Sequence, residues 1–149
     1  MQSMSQEKIT VNAKIKAPRK KVWEYYTQPE HITKWNFASP TWHCPLASND
    51  LKVGGRYFAR MEAKDKSFGF DFEAVYTHIQ VEENFIYQFA GRTVCVEFIS
   101  LTDIQTEVRI TFDPETENPI DMQRNGWQSI VDNFKNYAQA SAGSESEQM

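Results

Sequence analysis

Five side chains could bind a soft metal or shuttle a proton: His31, His43, His78, Cys44 and Cys95. His43-Cys44 is the most suggestive pair, with His78 or Cys95 as a third ligand, because neutral imidazole and thiolate are the donors that zinc takes. The spacing argues against it. No CxxC or HxxxH is present, and an isolated His-Cys pair lacks the short-range clustering that metal motifs use. No metal and no cofactor are therefore expected, and His43 reads as a polar loop residue beside a small buried thiol. GxGxxG and GxxxxGK[ST] are also missing, so no local signal exists for a phosphate cradle. The two cysteines lie far apart in the chain and read as reduced thiols of a cytosolic protein.

The second set of candidates is aromatic. Ten Phe, six Tyr and four Trp are many for 149 residues. Such rings either fill a core or wall a cavity, and Tyr and Trp add a hydroxyl or N–H that can orient a guest. Which of these applies depends on the elements that carry them.

Lys8 to Ala17 alternates, with Ile9, Val11, Ala13 and Ile15 on one face and Lys8, Thr10, Asn12, Lys14 and Lys16 on the other, as in a half-buried strand. Pro18 and Pro29 then open two short helices. Residues 36–50 hold Pro40, Pro45, Ser39, Ser48 and Asn49 and read as an irregular loop, although Phe37 and Trp42 give it unusual bulk. From Val53 onward, alternating runs separated by turns at Asp65-Lys66, Glu82-Glu83-Asn84, Gly91-Arg92 and Thr102-Asp103 predict an antiparallel meander. Gly54-Gly55 marks a bend or a close backbone approach. After a loop over 112–119 comes one long helix ending near Ala140. Its apolar stripe is Trp127, Ile130, Val131, Phe134 and Ala138. The simplest burial lays this stripe against the apolar face of a curled sheet.

Bulk composition narrows the function. A chain of this length suits one domain, expected over 8–140, with 1–7 and the small, acidic 141–149 expected to be disordered. A net charge of −4 and pI near 5.4 speak against nucleic-acid binding through a basic footprint. The compact basic cluster Arg19-Lys20-Lys21 reads as a solvated first helical turn. No segment has the ~20 apolar residues of a membrane span, and the N-terminus shows no secretory h-region, so a cytoplasmic location is expected.

Four stretches carry a family resemblance: IKAPRKKVWEYYTQPEHITKW (15–35), DLKVGGRYFARM (50–61), FIYQF (85–89) and GWQSIVDNFKNY (126–137). With these, the chain resembles the helix-grip superfamily of START domains, Bet v-type allergens and polyketide cyclases. More narrowly, it is similar to homologues of the heat-shock-protein-90 ATPase activator, C-terminal-domain type. Ala74 and Asp103-Ile104 stand where that family usually has glycine. The resemblance implies an α+β helix-grip fold: a curved antiparallel sheet wrapped around a long C-terminal helix, with two short helices after the first strand and a cavity between sheet and helix. It implies no single activity, because members bind apolar ligands, act as co-chaperones, or catalyse cyclisation and hydrolysis.

Strand phase places Tyr57, Ala59, Met61, Phe68, Phe70, Phe72, Ala74 and Tyr76 inward, and likewise Phe85, Tyr87, Phe89, Val94, Val96, Phe98, Val108, Ile110 and Phe112. None of these is Asp, Glu, His, Lys or Arg, and Asp71, Glu73, Glu97 and Glu107 fall on the outer phase. Acid–base catalysis needs ionisable groups held inside a site, so no catalytic residue is expected. The expected pocket takes Trp35 from the second short helix and Phe37 and Trp42 from the loop after it, these two as a lid or as a plug. The sheet contributes Tyr57, Met61, Phe70, Phe72, Tyr76, Tyr87, Phe89, Val96 and Phe98. The long helix adds Trp127, Ile130, Val131 and Phe134. The leading expectation is a binder of a small hydrophobic, aromatic or lipid-like molecule. The alternatives are a co-chaperone-like protein-interaction module, working through its outer surface with a protein partner, and a cyclase or hydrolase.

Overall fold

The computed structural model describes residues 8–147, and side chains over 8–143. The chain runs β1 (Ile9–Ile15), α1 (Arg19–Thr27), α2 (Pro29–Trp35), β2 (Trp42–Asn49), β3 (Arg56–Ala63), β4 (Gly69–Gln80), β5 (Asn84–Phe89), β6 (Arg92–Thr102), β7 (Gln105–Phe112) and α3 (Ile120–Glu147). The seven strands form one antiparallel sheet in the order β1-β7-β6-β5-β4-β3-β2. This is the α+β helix-grip architecture that the sequence suggests.

Each element follows from local chemistry. β1 alternates buried and exposed along its whole length and pairs with β7, from Ile9 opposite Phe112 to Ile15 opposite Thr106. Pro18 caps α1, and Pro29 occupies the first turn of α2, where its missing N–H costs nothing. One extended residue, Gln28, ends α1 and begins α2. Before β3 the backbone turns so tightly that a Cβ on Gly55 would stand 2.0 Å from the Asp50 carbonyl oxygen, so only glycine fits. Between β5 and β6, Ala90 and Gly91 both have positive φ, 49° and 74°, the signature of a two-residue hairpin turn whose twist matches the strands it joins.

The course of the elements departs from the sequence reading in three places. Residues 42–49 form strand β2 rather than loop. Its prolyl residue, Pro45, falls where the β2–β3 register shifts between His43 and Leu46, on an edge strand, the setting in which a sheet tolerates a missing donor. Phe68 is not inward. It sits in the turn before β4 and is 72% exposed. Helix α3 continues past Ala140 to Glu147, so residues 141–147 of the expected disordered tail are helical here. No proline stops the helix, and extending a formed helix costs far less than nucleating one. Residues 1–7 and 148–149 lie outside the described residues.

The inner face of the sheet divides into two regions. At one end α1 and α2 seal it: Trp23 meets Phe98 edge-on at 5.0 Å, and Tyr26 meets Phe98 at 5.5 Å and Phe134 at 5.0 Å. Trp35 closes on Phe134 at 4.9 Å and donates its indole N–H to the Tyr25 carbonyl at 2.9 Å. Toward the other end the two short helices leave the sheet uncovered, and α3 stands opposite it.

Candidate functional site: an aromatic cavity with one guanidinium

That uncovered end holds a cavity of about 220 Å³. Tyr57 and Met61 of β3, Phe70 and Phe72 of β4, and Tyr87 and Phe89 of β5 form its sheet wall. Arg92 of β6 and Ile110 of β7 extend that wall. Tyr26 of α1, Trp35 and Asn36 at the end of α2, and Trp127 and Ile130 of α3 face it. Cross-strand pairing builds the wall: Met61 stands opposite Phe70 and Ala59 opposite Phe72. Phe72 contacts Phe89 at 4.6 Å and Tyr57 edge-on at 5.9 Å. Trp127 stacks on Phe112 at 4.2 Å, which fixes its ring in the cavity wall.

The polar groups of the cavity are few. Asn36 donates its amide to the Tyr57 hydroxyl at 3.2 Å. Burial first, and then neighbouring titrating groups, push the Tyr26, Tyr57 and Tyr87 phenols well above their ordinary value, so all three are neutral near pH 7. Arg92 is the exception to an uncharged lining and overturns that expectation. It lies on the same strand phase as Val94, Val96 and Phe98, in the position that pairs with Phe89 across the turn. Its Nε donates to the Asp113 carbonyl at 3.2 Å, and its guanidinium carbon lies 4.4 Å from the Phe89 ring centroid. Among the described residues, Nη1 and Nη2 have no hydrogen-bond partner. Partial burial opposes its charge, Glu115 and Asp113 favour it, and guanidinium stays cationic throughout.

The loop that holds Arg92 is itself braced. Asp113 pairs with Lys8 and accepts the Thr93 backbone N–H at 2.9 Å. Two residues on, Gln123 of α3 accepts from the Glu115 N–H at 2.9 Å and donates to the Glu115 and Asn118 carbonyls at 3.1 and 2.8 Å.

Of the residues expected to line a pocket, Trp35, Tyr57, Met61, Phe70, Phe72, Tyr87, Phe89, Trp127 and Ile130 surround this cavity. Tyr76, Val96, Phe98, Val131 and Phe134 lie in the sealed core instead, each at most 2% exposed. Trp42 stands outside the cavity, its ring 6.1 Å from that of Phe70. Phe37 borders a shallow surface groove beside Lys64 and Asn133. Tyr26, Asn36, Arg92 and Ile110 line the cavity without having been assigned to it. For Arg92 and Ile110 the strand alternation carries the signal, while Tyr26 and Asn36 depend on how the two short helices seat.

The other chemistry-bearing residues stay apart from the cavity. His43 faces Glu62 at 3.2 Å on the outside of the sheet edge, and His43 is the leading cause of that carboxyl's lowered pKa. His31 Nδ1 and the Tyr137 hydroxyl are 2.6 Å apart, tying α2 to α3. Cys44 is buried and its thiol is pushed up to about 11 by desolvation. Both cysteines are free. Among the described residues, no three His, Cys, Asp or Glu side chains converge as metal ligands, and no helix is long and apolar enough to cross a membrane.

A curled antiparallel sheet gripping a long C-terminal helix, with a cavity left between them, defines a helix-grip protein. The chain belongs to the family described as Activator of Hsp90 ATPase homolog 1-like protein, whose profile matches residues 16–139. It is similar to the solution structure of an AHSA1-like protein from Aeromonas hydrophila, with 40% identity, a TM-score of 0.84, and 90% of this chain and 93% of that one covered. A protein from Cytophaga hutchinsonii is 43% identical at a TM-score of 0.77 with the same coverage. A crystal structure from Nitrosomonas europaea, at 16% identity and a TM-score of 0.77 over 93% of this chain and 98% of that one, shares the fold. Among curated proteins no match is found.

Proposed function

We propose that the protein binds a small apolar, aromatic or lipid-like molecule between β3–β7 and α3. The observation that carries this reading is the cavity itself, about 220 Å³ and walled by aromatic rings. An apolar cavity of ~150 Å³ suffices to bind benzene. Rings fixed by their neighbours give a guest contact area at little entropic cost, as preorganised pockets do. Binding is favoured over acid–base turnover because the lining phenols are held neutral and Arg92 does not deprotonate, so no lining pair can exchange a proton near pH 7. A protein-interaction module would work through the outer surface and need no guest. Mass spectrometry of molecules released from the purified, then denatured, protein tests the reading, together with tryptophan fluorescence on titration with neutral aromatic probes. Saturable binding, flat between about pH 6 and 8 where only histidine among unperturbed side chains titrates, is expected. No released molecule and no saturable probe would favour the interaction module.

A further inference from the structure

We propose that the guest is an apolar monocarboxylate, its ring or chain against Phe72, Phe89 and Trp127 and its carboxylate held by the two terminal nitrogens of Arg92. This rests on the reading of the cavity as a ligand site and adds the chemical class that the site selects.

Three observations converge on it. First, Arg92 lines the cavity with its guanidinium spread over Phe89, and Nη1 and Nη2 are without a protein partner among the described residues. A partly desolvated cation with unused donors is costly, and a carboxylate matches its two-pronged geometry with two parallel, charge-assisted bonds. Second, the side chain is positioned rather than loose. Nε is committed to the Asp113 carbonyl, the Ala90-Gly91 turn sets Arg92 opposite Phe89, and Gln123 braces the loop beyond Asp113. What remains available is the pair of terminal nitrogens. Third, the surroundings limit the charge of the guest. Arg92 is the only cation among the lining residues, and the Asp113 and Glu115 carboxylates lie close enough to act on it electrostatically. Asp113 is already paired with Lys8, so the guanidinium is the one charge the cavity wall offers a guest; it suits a monoanion, whereas a phosphate dianion would bring a second charge that no second lining cation meets and that Glu115 repels. All other lining surface is aromatic, aliphatic or neutral polar, so the rest of the guest is apolar.

The test is calorimetric titration of wild type and Arg92→Gln with 2-naphthoate, its neutral isostere 2-naphthamide, and the dianion 2-naphthyl phosphate. Wild type should bind the naphthoate at least about tenfold more tightly than the amide, the worth of hydrogen bonds to a charged group, and bind the phosphate no more tightly than the naphthoate. Arg92→Gln should remove the preference for the naphthoate over the amide. If Arg92→Gln does not fold, Arg92→Lys, which keeps the charge but not the fork, should show a reduced preference. Equal binding of naphthoate and amide by wild type would overturn the carboxylate assignment while leaving the cavity as a ligand site. A preference that survives in Arg92→Gln would move the anchor elsewhere, and tighter binding of the phosphate would overturn the class. Saturable binding of none of the three would overturn the ligand site itself, and this proposal with it.

Discussion

Phe89 and Arg92 face each other across a two-residue turn, with the guanidinium carbon 4.4 Å from the ring centroid. The turn makes this contact possible. Ala90 and Gly91 take left-handed backbone angles, so the last residue of β5 and the first of β6 become cross-strand partners on the cavity face.

Gly91→Val should therefore cost about 1–2 kcal/mol, the penalty of forcing a Cβ into the left-handed region. Nothing lies within 4 Å of the added Cβ, so the effect is conformational rather than steric crowding. Urea unfolding of the two proteins measures it. An unchanged midpoint would mean that the turn does not hold the strands in register.

Phe134 is fully buried between Trp35 and Tyr26. Phe134→Ala should destabilise the domain by about 3–5 kcal/mol, because the surrounding rings cannot collapse into the space left. Ile104→Ala, at a side chain 73% exposed, should stay within about 0.5 kcal/mol of wild type. Equal midpoints for wild type and Phe134→Ala would show that α3 does not close the core.

Asp113 joins three strands: it pairs with Lys8 at the start of β1 and accepts the Thr93 N–H of β6, just after β7. The Lys8 hydrogen bond, then the Thr93 N–H, hold its pKa below the ordinary 3.8. A carboxyl depressed in the folded state contributes stability that is fully present above its unfolded pKa and is lost as pH falls through the folded one. Asp113→Asn should lower the thermal midpoint at pH 7, and the gap to wild type should narrow as pH drops below about 4. A constant gap across that range would assign the effect to packing rather than to the charge.

How far the sequence foretold this structure depended on how local each signal was. Alternation over Lys8–Ala17 and the stripe from Trp127 to Ala138 are complete periods within one element, and they become β1 and the buried face of α3. Strand β2 was hidden because Pro45, Ser48 and Asn49 are loop formers everywhere except an edge strand, and edge position is a property of the whole sheet. Arg92 was read as a turn residue because it follows Gly91. Extending the phase of Val94, Val96 and Phe98 by one step would have placed it inward. The division of the inner face was not legible at all. Phe98 carries the same pattern as Phe89 and Tyr87, yet Trp23 and Tyr26 pack on Phe98 and leave the other two to the cavity. Only the seating of α1 and α2 distinguishes them.

The central claim is that a guest enters between the sheet and α3, and the indole N–H of Trp127 is its most direct reporter. In a ¹H–¹⁵N correlation titration with 2-naphthamide, that signal and the backbone amides of Tyr57, Phe72 and Phe89 should shift together and saturate with one dissociation constant. The amides of Glu73 and Arg109, whose side chains point away from the cavity, should move least. Shifts concentrated on that outer face, or shifts at the cavity that grow linearly without saturating, would contradict the account.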